Sequence, residues 1–257
     1  MKKVHTLLVV WQNPKTRSFY HIGTLSHYDG YYEFTYTYNA SGHGKLKDAL
    51  NNGYMLHPAF PDPTKIYRSK ELFPAFERRL PSPDRADFKA ILSDLGLDEN
   101  STKMDLLQQT RGRLASDTYS FEQPLRLEND GKLRVSFFVH GMRHQNLPQN
   151  WATWLAINET LKLVQEPTNA YDPHAVAIYT HGGKKLGYVP AFYSKAIFSL
   201  LENGVNPSVR VVYMNEKSTP HWWLKVAFEC EIPSFQGATL DRVRCLSPPE
   251  ICRNIGN

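Results

Sequence analysis

Two short segments of this 257-residue chain carry most of the side chains that could do recognisable chemistry. In the first, Arg143 and His144 follow the apolar run that ends at Val139. In the second, Tyr171 and Asp172 stand side by side in Glu166-Pro167-Thr168-Asn169-Ala170-Tyr171-Asp172-Pro173, and Tyr188 follows in Lys185-Leu186-Gly187-Tyr188-Val189-Pro190. A guanidinium can fork onto a phosphate. An aromatic face can stack on a base, which is worth roughly 1–3 kcal/mol. A carboxylate can accept a hydrogen bond from a sugar hydroxyl and would repel a phosphate in the same place. Each residue also has a plain structural reading. Asp172 before a proline can cap its own turn, and Tyr171 can simply cover a core.

Catalytic signatures are missing. There is no glycine-rich loop ending in Lys-Ser or Lys-Thr, no Gly-x-Ser-x-Gly elbow and no His-x-x-x-His pair on a helix. Asp62 and Asp87-Phe88-Lys89 could imitate the carboxylates and lysine of a metal-dependent nuclease. Such carboxylates must converge from neighbouring strands, whereas Asp87 and Lys89 fall in a helical pattern and read as a solvated face. The three cysteines, Cys230, Cys245 and Cys252, form no Cys-x-x-Cys pair, so neither a zinc site nor a disulfide framework is expected. No cofactor and no metal are expected, and the chain reads as a non-enzyme.

The elements that position these residues follow from periodicity. Val4–Trp11, Ser18–Leu25 and Tyr31–Tyr38 read as a meander of strands, with Tyr32, Phe34, Tyr36 and Tyr38 on one buried face. A short helix from Lys45 to Asn51 ends at Asn52-Gly53, and the proline-rich run from His57 to Pro63 must be extended. Leu72, Phe73, Phe76 and Leu80 share a helical stripe. A second helix is expected from a cap at Ser82, with Pro83 in its first position, to Gly96. A third helix spans Met104 to Thr110, and Tyr119–Leu127 reads as a strand. The polar turn Glu128-Asn129-Asp130-Gly131 marks a domain boundary. Beyond it come strands at Leu133–His140, Thr160–Gln165, Ala175–Thr180 and Lys185–Val189. An amphipathic helix from Phe192 to Glu202 and strands Val209–Met214 and Trp222–Cys230 complete the pattern. The last residues, 233–257, read as a tail.

Composition sets outer limits. Hydrophobic residues make up 41% of the chain, as in an ordinary folded protein, and no apolar run approaches the roughly 20 residues that span a bilayer. A cytoplasmic location without membrane contact is the expectation. Residues 1–130 hold 17 Lys and Arg against 16 Asp and Glu, and residues 131–257 hold 13 against 9. The basic excess of the second half suits an anionic partner without requiring one.

Val139-His140-Gly141-Met142-Arg143, then Glu166-Pro167-x-Asn169-x-Tyr171-Asp172-x-x-Ala175, then Gly187-Tyr188-x-Pro190 before a helix, together resemble the HIRAN domain over about 90 residues. That resemblance implies an OB-like β-barrel with one or two helices, over residues 132–232, that holds single-stranded DNA or its free 3′ end. It further implies that Tyr171 stacks on a terminal base, Asp172 meets the 3′-hydroxyl, and Arg143, His144 and Tyr188 line the same site. Two departures lower the expected affinity: His144 stands where DNA-gripping relatives carry an aromatic residue, and Ala191 where a basic residue is common.

Residues 1–128 resemble something else. Gly23-Thr24-Leu25, Tyr31 to Tyr36, Leu72-Phe73-Pro74-Ala75-Phe76-Glu77-Arg78-Arg79-Leu80-Pro81 and Asp105-Leu106-Leu107 through Arg111-Gly112-Arg113 are similar to the N-terminal subdomain of HipA-type kinases. That subdomain exists as the separate protein HipS in some toxin–antitoxin systems. The resemblance implies an α+β chain of two domains in which the first, a small sheet with helices, binds a protein. Phe60 and Tyr67 are the expected anchors, because proline stiffens their segment and lowers the cost of ordering it on binding. Two functions are thus in view. One is a DNA-binding adaptor. The other is an antitoxin-like regulator that restrains a separate HipA-type kinase, since no kinase catalytic loop is present in this chain.

Overall fold

A computed structural model describes residues 5–40, 44–115, 117–127, 130–231 and 252–253. The chain divides into two compact units, residues 1–124 and 125–257. Each contains one β-sheet.

In the first unit, β1 (His5–Gln12), β2 (Phe19–Tyr28), β3 (Tyr31–Tyr36), β4 (Ile66–Ser69) and β5 (Tyr119–Glu122) form an antiparallel sheet in the order β4-β3-β2-β1-β5. Every residue of β1 from Leu7 to Gln12 is buried, because both of its faces are covered. On β3 the alternation is strict, with Tyr32, Phe34 and Tyr36 inward as their spacing predicts. Helices α1 (Leu46–Asn51), α2 (Pro74–Glu77), α3 (Phe88–Asp94) and α4 (Lys103–Thr110) fill the connections. The best-defined start belongs to α4, where Thr102 and Asp105 form a reciprocal capping box.

Two expectations for this unit need correction. The helix expected from Ser82 begins only at Phe88, so Pro83 opens a turn rather than a helix. Beyond the extended proline-rich segment the structure adds strand β4, an element that periodicity does not predict. Phe60 is no docking anchor: it is 2% exposed and packs its ring 4.5 Å from Phe34, 5.1 Å from Phe76 and 5.2 Å from Phe73. The surrounding rings draw it inward, where truncation would cost about 3–5 kcal/mol. Tyr67 is half-buried beside it, with its hydroxyl on the backbone of Asp62.

The second unit holds an eight-stranded sheet. Its strands are β6 (Arg126–Leu127), β7 (Lys132–Phe138), β8 (Thr160–Glu166), β9 (Ala175–Tyr179), β10 (Lys185–Tyr188), β11 (Ser208–Met214), β12 (Leu224–Glu231) and β13 (Cys252–Arg253), in the order β10-β9-β8-β11-β12-β7-β6-β13. The strand expected over Tyr119–Leu127 is therefore two strands, β5 and β6, one in each unit. His140, just past β7, forms an isolated bridge with Tyr188 on β10. That bridge joins the two ends of the run β10-β9-β8-β11-β12-β7 and turns six strands into a ring. The inner row includes Leu161, Ile178, Leu186, Val209, Val226 and Phe228, each at most 7% exposed. Helix α5 (Ala191–Glu202) packs its apolar side against β9.

No helix among the described residues is long and apolar enough to cross a membrane. Of the expected tail, only Cys252–Arg253 falls within the described residues.

Candidate nucleic-acid interface

The seam that closes the ring is also where the second unit opens to solvent. A cleft of about 710 Å³ lies there, walled on one side by His140, Gly141, His144 and Gln145 and on the other by Asn169 to Asp172, with Tyr188 between them. Two backbone hydrogen bonds hold the walls together, His140 N to Tyr188 O at 2.9 Å and Tyr188 N to His140 O at 2.8 Å. Gly187 makes this approach possible. A Cβ at that position would stand 2.4 Å from the His140 carbonyl oxygen and 2.8 Å from Val139. Gly141 has φ 74°, the left-handed conformation that releases the chain from the bridge into a short 3-10 helix, Met142–His144.

The turn after β8 is built around Asn169. Its Oδ1 accepts the backbone N–H of Tyr171 at 3.0 Å and of Asp172 at 3.3 Å, an Asx turn. The turn therefore holds its backbone without help from the tyrosine side chain, and the Tyr171 ring stands 98% exposed at the mouth of the cleft. For a large aromatic residue on a stiff turn this exposure is exceptional, and it leaves both ring faces accessible.

Asp172 is more constrained. Its Oδ1 accepts the N–H of His174 at 2.8 Å, and its Oδ2 accepts the hydroxyl of Ser194 on α5 at 2.7 Å. The turn-capping role is real, and it includes a tie to the helix. Each carboxylate oxygen keeps a further lone pair, and the side chain remains partly exposed at the cleft.

Tyr188 is fixed through its hydroxyl. It donates to Glu166 Oε2 at 3.0 Å and accepts from Lys185 Nζ at 2.7 Å and Asn169 Nδ2 at 3.2 Å. Lys185 Nζ also bonds Glu166 Oε1 at 2.6 Å and lies 4.3 Å from the Tyr188 ring centroid. Burial acts to raise the Glu166 carboxyl, but hydrogen bonds from Lys185, Tyr188 and Asn169 outweigh it and hold the group below the usual carboxylate range. The network stays charged at neutral pH and keeps Tyr188 and Asn169 in register.

Arg143 and His144 are both exposed on the 3-10 helix. Arg143 Nε donates to His144 Nε2 at 2.8 Å, so the imidazole orients the guanidinium while its remaining N–H groups face solvent. His144 lines the cleft, and Arg143 stands beside it. The five residues expected at this site, Arg143, His144, Tyr171, Asp172 and Tyr188, are thus gathered at one seam. Sequence reasoning overlooked the residues that hold them: Ser194, Glu166, Lys185 and Asn169. Among the described residues no cluster of three metal-ligating side chains occurs.

Comparison with known proteins agrees on the second unit. The family model of the HIRAN domain matches residues 132–234. Among solved structures, a protein from Lactobacillus plantarum is 22% identical over 39% of this chain and 97% of its own, with a TM-score of 0.34. The crystal structure of the HIRAN domain of human HLTF is 15% identical over 48% of this chain and 98% of its own, with a TM-score of 0.37. No curated protein matches the chain.

Proposed function

We propose that the second unit grips the end of a single DNA strand in the seam cleft without catalysing a reaction on it. The observation that carries the reading is Tyr171, 98% exposed on a turn whose backbone is already held by Asn169. An aromatic ring in that position gains nothing for the fold, whereas a base stacked on it gains roughly 1–3 kcal/mol. The match of residues 132–234 to the HIRAN domain supports the same reading. Arg143 supplies the phosphate contact. Asp172 accepts a terminal hydroxyl on a free lone pair and opposes a terminal phosphate by charge.

The discriminating experiment is fluorescence anisotropy with single-stranded oligonucleotides ending in a 3′-hydroxyl or a 3′-phosphate, beside a blunt duplex. Single strands with the hydroxyl should bind best, and binding should weaken as salt rises. Asp172→Asn keeps the side-chain shape that caps the turn and removes the charge, so it should reduce the discrimination between the two ends. Equal and negligible binding of all three at low salt would refute the proposal.

A further inference from the structure

We infer that the strand held at the seam continues across the outer face of β10, β9, β8 and β11, along a basic track ending at Lys162 and Arg210. This rests on the DNA reading above, and it extends the site beyond the cleft.

The register of the sheet makes the track. Directly paired residues in antiparallel strands point to the same face, as do residues two apart along one strand. Lys185 pairs with Tyr179, Tyr179 with Lys162, and Thr160 with Arg210, while Thr160 and Lys162 are two apart. All five therefore share one face. Their neighbours Leu186, Ile178, Leu161 and Val209 point the other way and are buried, so the shared face is the outer one. The row begins at the cleft, because the Lys185 ammonium touches the hydroxyl of Tyr188.

Charge along the row is unevenly spent. Glu166 neutralises Lys185. Arg210 has no ion-pair or hydrogen-bond partner among the described residues, and Lys162 reaches only a backbone carbonyl, that of His181, at 3.4 Å. The carboxylate nearest in sequence, Glu159, is engaged with the backbone N–H of Ala156. Two cations without a carboxylate partner among the described residues thus lie beside apolar surface: the half-buried Tyr179 pairs with Lys162, and two exposed side chains, Val164 at 43% and Val212 at 38%, stand two residues along the strand from Lys162 and Arg210. An alternation of free cations with ring and methyl surface suits a strand that lays phosphates on the cations and bases on the apolar parts. Three strand spacings carry the row about 15 Å from β10 to β11.

The test compares a thymidine trinucleotide, long enough for the cleft alone, with a decanucleotide that can also lie on the track. Each is titrated by anisotropy against the wild type, Tyr171→Ala and the double variant Lys162→Glu/Arg210→Glu. In the wild type the decanucleotide should bind about tenfold tighter, with a steeper salt dependence. The double variant should bind the trinucleotide as the wild type does and lose most of the length gain, with its log–log salt slope smaller by about 1.4. Registers available to a longer oligonucleotide are the same for both proteins, so statistics cannot produce that difference. A length gain that survives in the double variant overturns the track and leaves the cleft standing. Equal loss of both oligonucleotides in a folded double variant also overturns it. If neither oligonucleotide binds the wild type, or Tyr171→Ala changes neither affinity, the cleft reading fails and takes the track with it.

Discussion

Replacing Tyr171 by alanine separates recognition from folding. At 98% exposure the ring buries almost no surface, so its removal should change stability by less than about 0.5 kcal/mol. The turn should persist as well, since Asn169 Oδ1 binds the backbone N–H of residue 171 rather than its side chain. Affinity for a single strand should nevertheless fall by the stacking contribution. For roughly 1–3 kcal/mol that is about 5- to 150-fold. Tyr171→Phe keeps the ring face and should retain most of the affinity. Because stacking touches no phosphate, the slope of log affinity against log salt should stay at the wild-type value in Tyr171→Ala, whereas Arg143→Ala should reduce it by about 0.7. Anisotropy titrations at three salt concentrations, with thermal melts on the same samples, measure all of this. Unchanged affinity in Tyr171→Ala, or a loss of affinity accompanied by a lowered melting temperature, would refute the argument.

Further outcomes follow from other parts of the molecule. Gly187→Ala places a methyl group 2.4 Å from the His140 carbonyl oxygen, so urea melts should show destabilisation of about 1–3 kcal/mol or more, with weaker oligonucleotide binding as the seam is pushed apart. Ser194→Ala removes the hydroxyl tie to Asp172, and end discrimination should decline while trinucleotide affinity changes less than about threefold. His21 is buried beside Lys45, and burial first, then the lysine charge, push its pKa down to about 3. Its contribution to stability is complete above pH 6.5 and is lost as pH falls toward 3, because the unfolded chain takes up a proton that the folded one refuses. Unfolding free energies from urea melts should fall by about 1 kcal/mol between pH 6.5 and 5.5 on this account, as protonation of the histidine in the unfolded chain rises from half to about nine-tenths, and His21→Gln should remove that loss.

Much of the second unit was legible because its strands are bounded by turn residues and its apolar positions alternate. The run from Glu166 to Pro173 showed an aromatic residue and a carboxylate on a stiff turn, and the structure has that arrangement. The supporting residues were hidden for a physical reason. Ser194 lies in α5 between apolar positions and reads as a solvent-facing serine, yet it is 2% exposed, because its partner Asp172 comes from a turn 22 residues away. Glu166 and Lys185 read as ordinary strand-end charges, and only strand pairing brings them together. In the first unit, proline stiffness around Phe60 suggested presentation to a partner. Stiffness alone has no direction, and a cluster of phenyl rings supplied one. The short 3-10 helix carrying Arg143 depends on the positive φ of Gly141, which apolar periodicity does not register.

A ring of strands closed by one bridged residue pair is not equally strong all the way round. Between β7 and β12 seven successive residue pairs must part together, whereas the seam is bridged at one residue pair, by two backbone hydrogen bonds. At about 0.5–1.5 kcal/mol net per hydrogen bond, the seam can open far more often than the domain unfolds. Amide hydrogens of His140 and Tyr188 should then exchange with solvent through a local fluctuation, while those of Val226 and Phe228 wait for global unfolding. The cleft width becomes a thermally sampled quantity, with Gly187 and the Glu166–Lys185 pair setting how often it widens. An incoming strand end would meet a mouth that breathes while the barrel behind it stays intact.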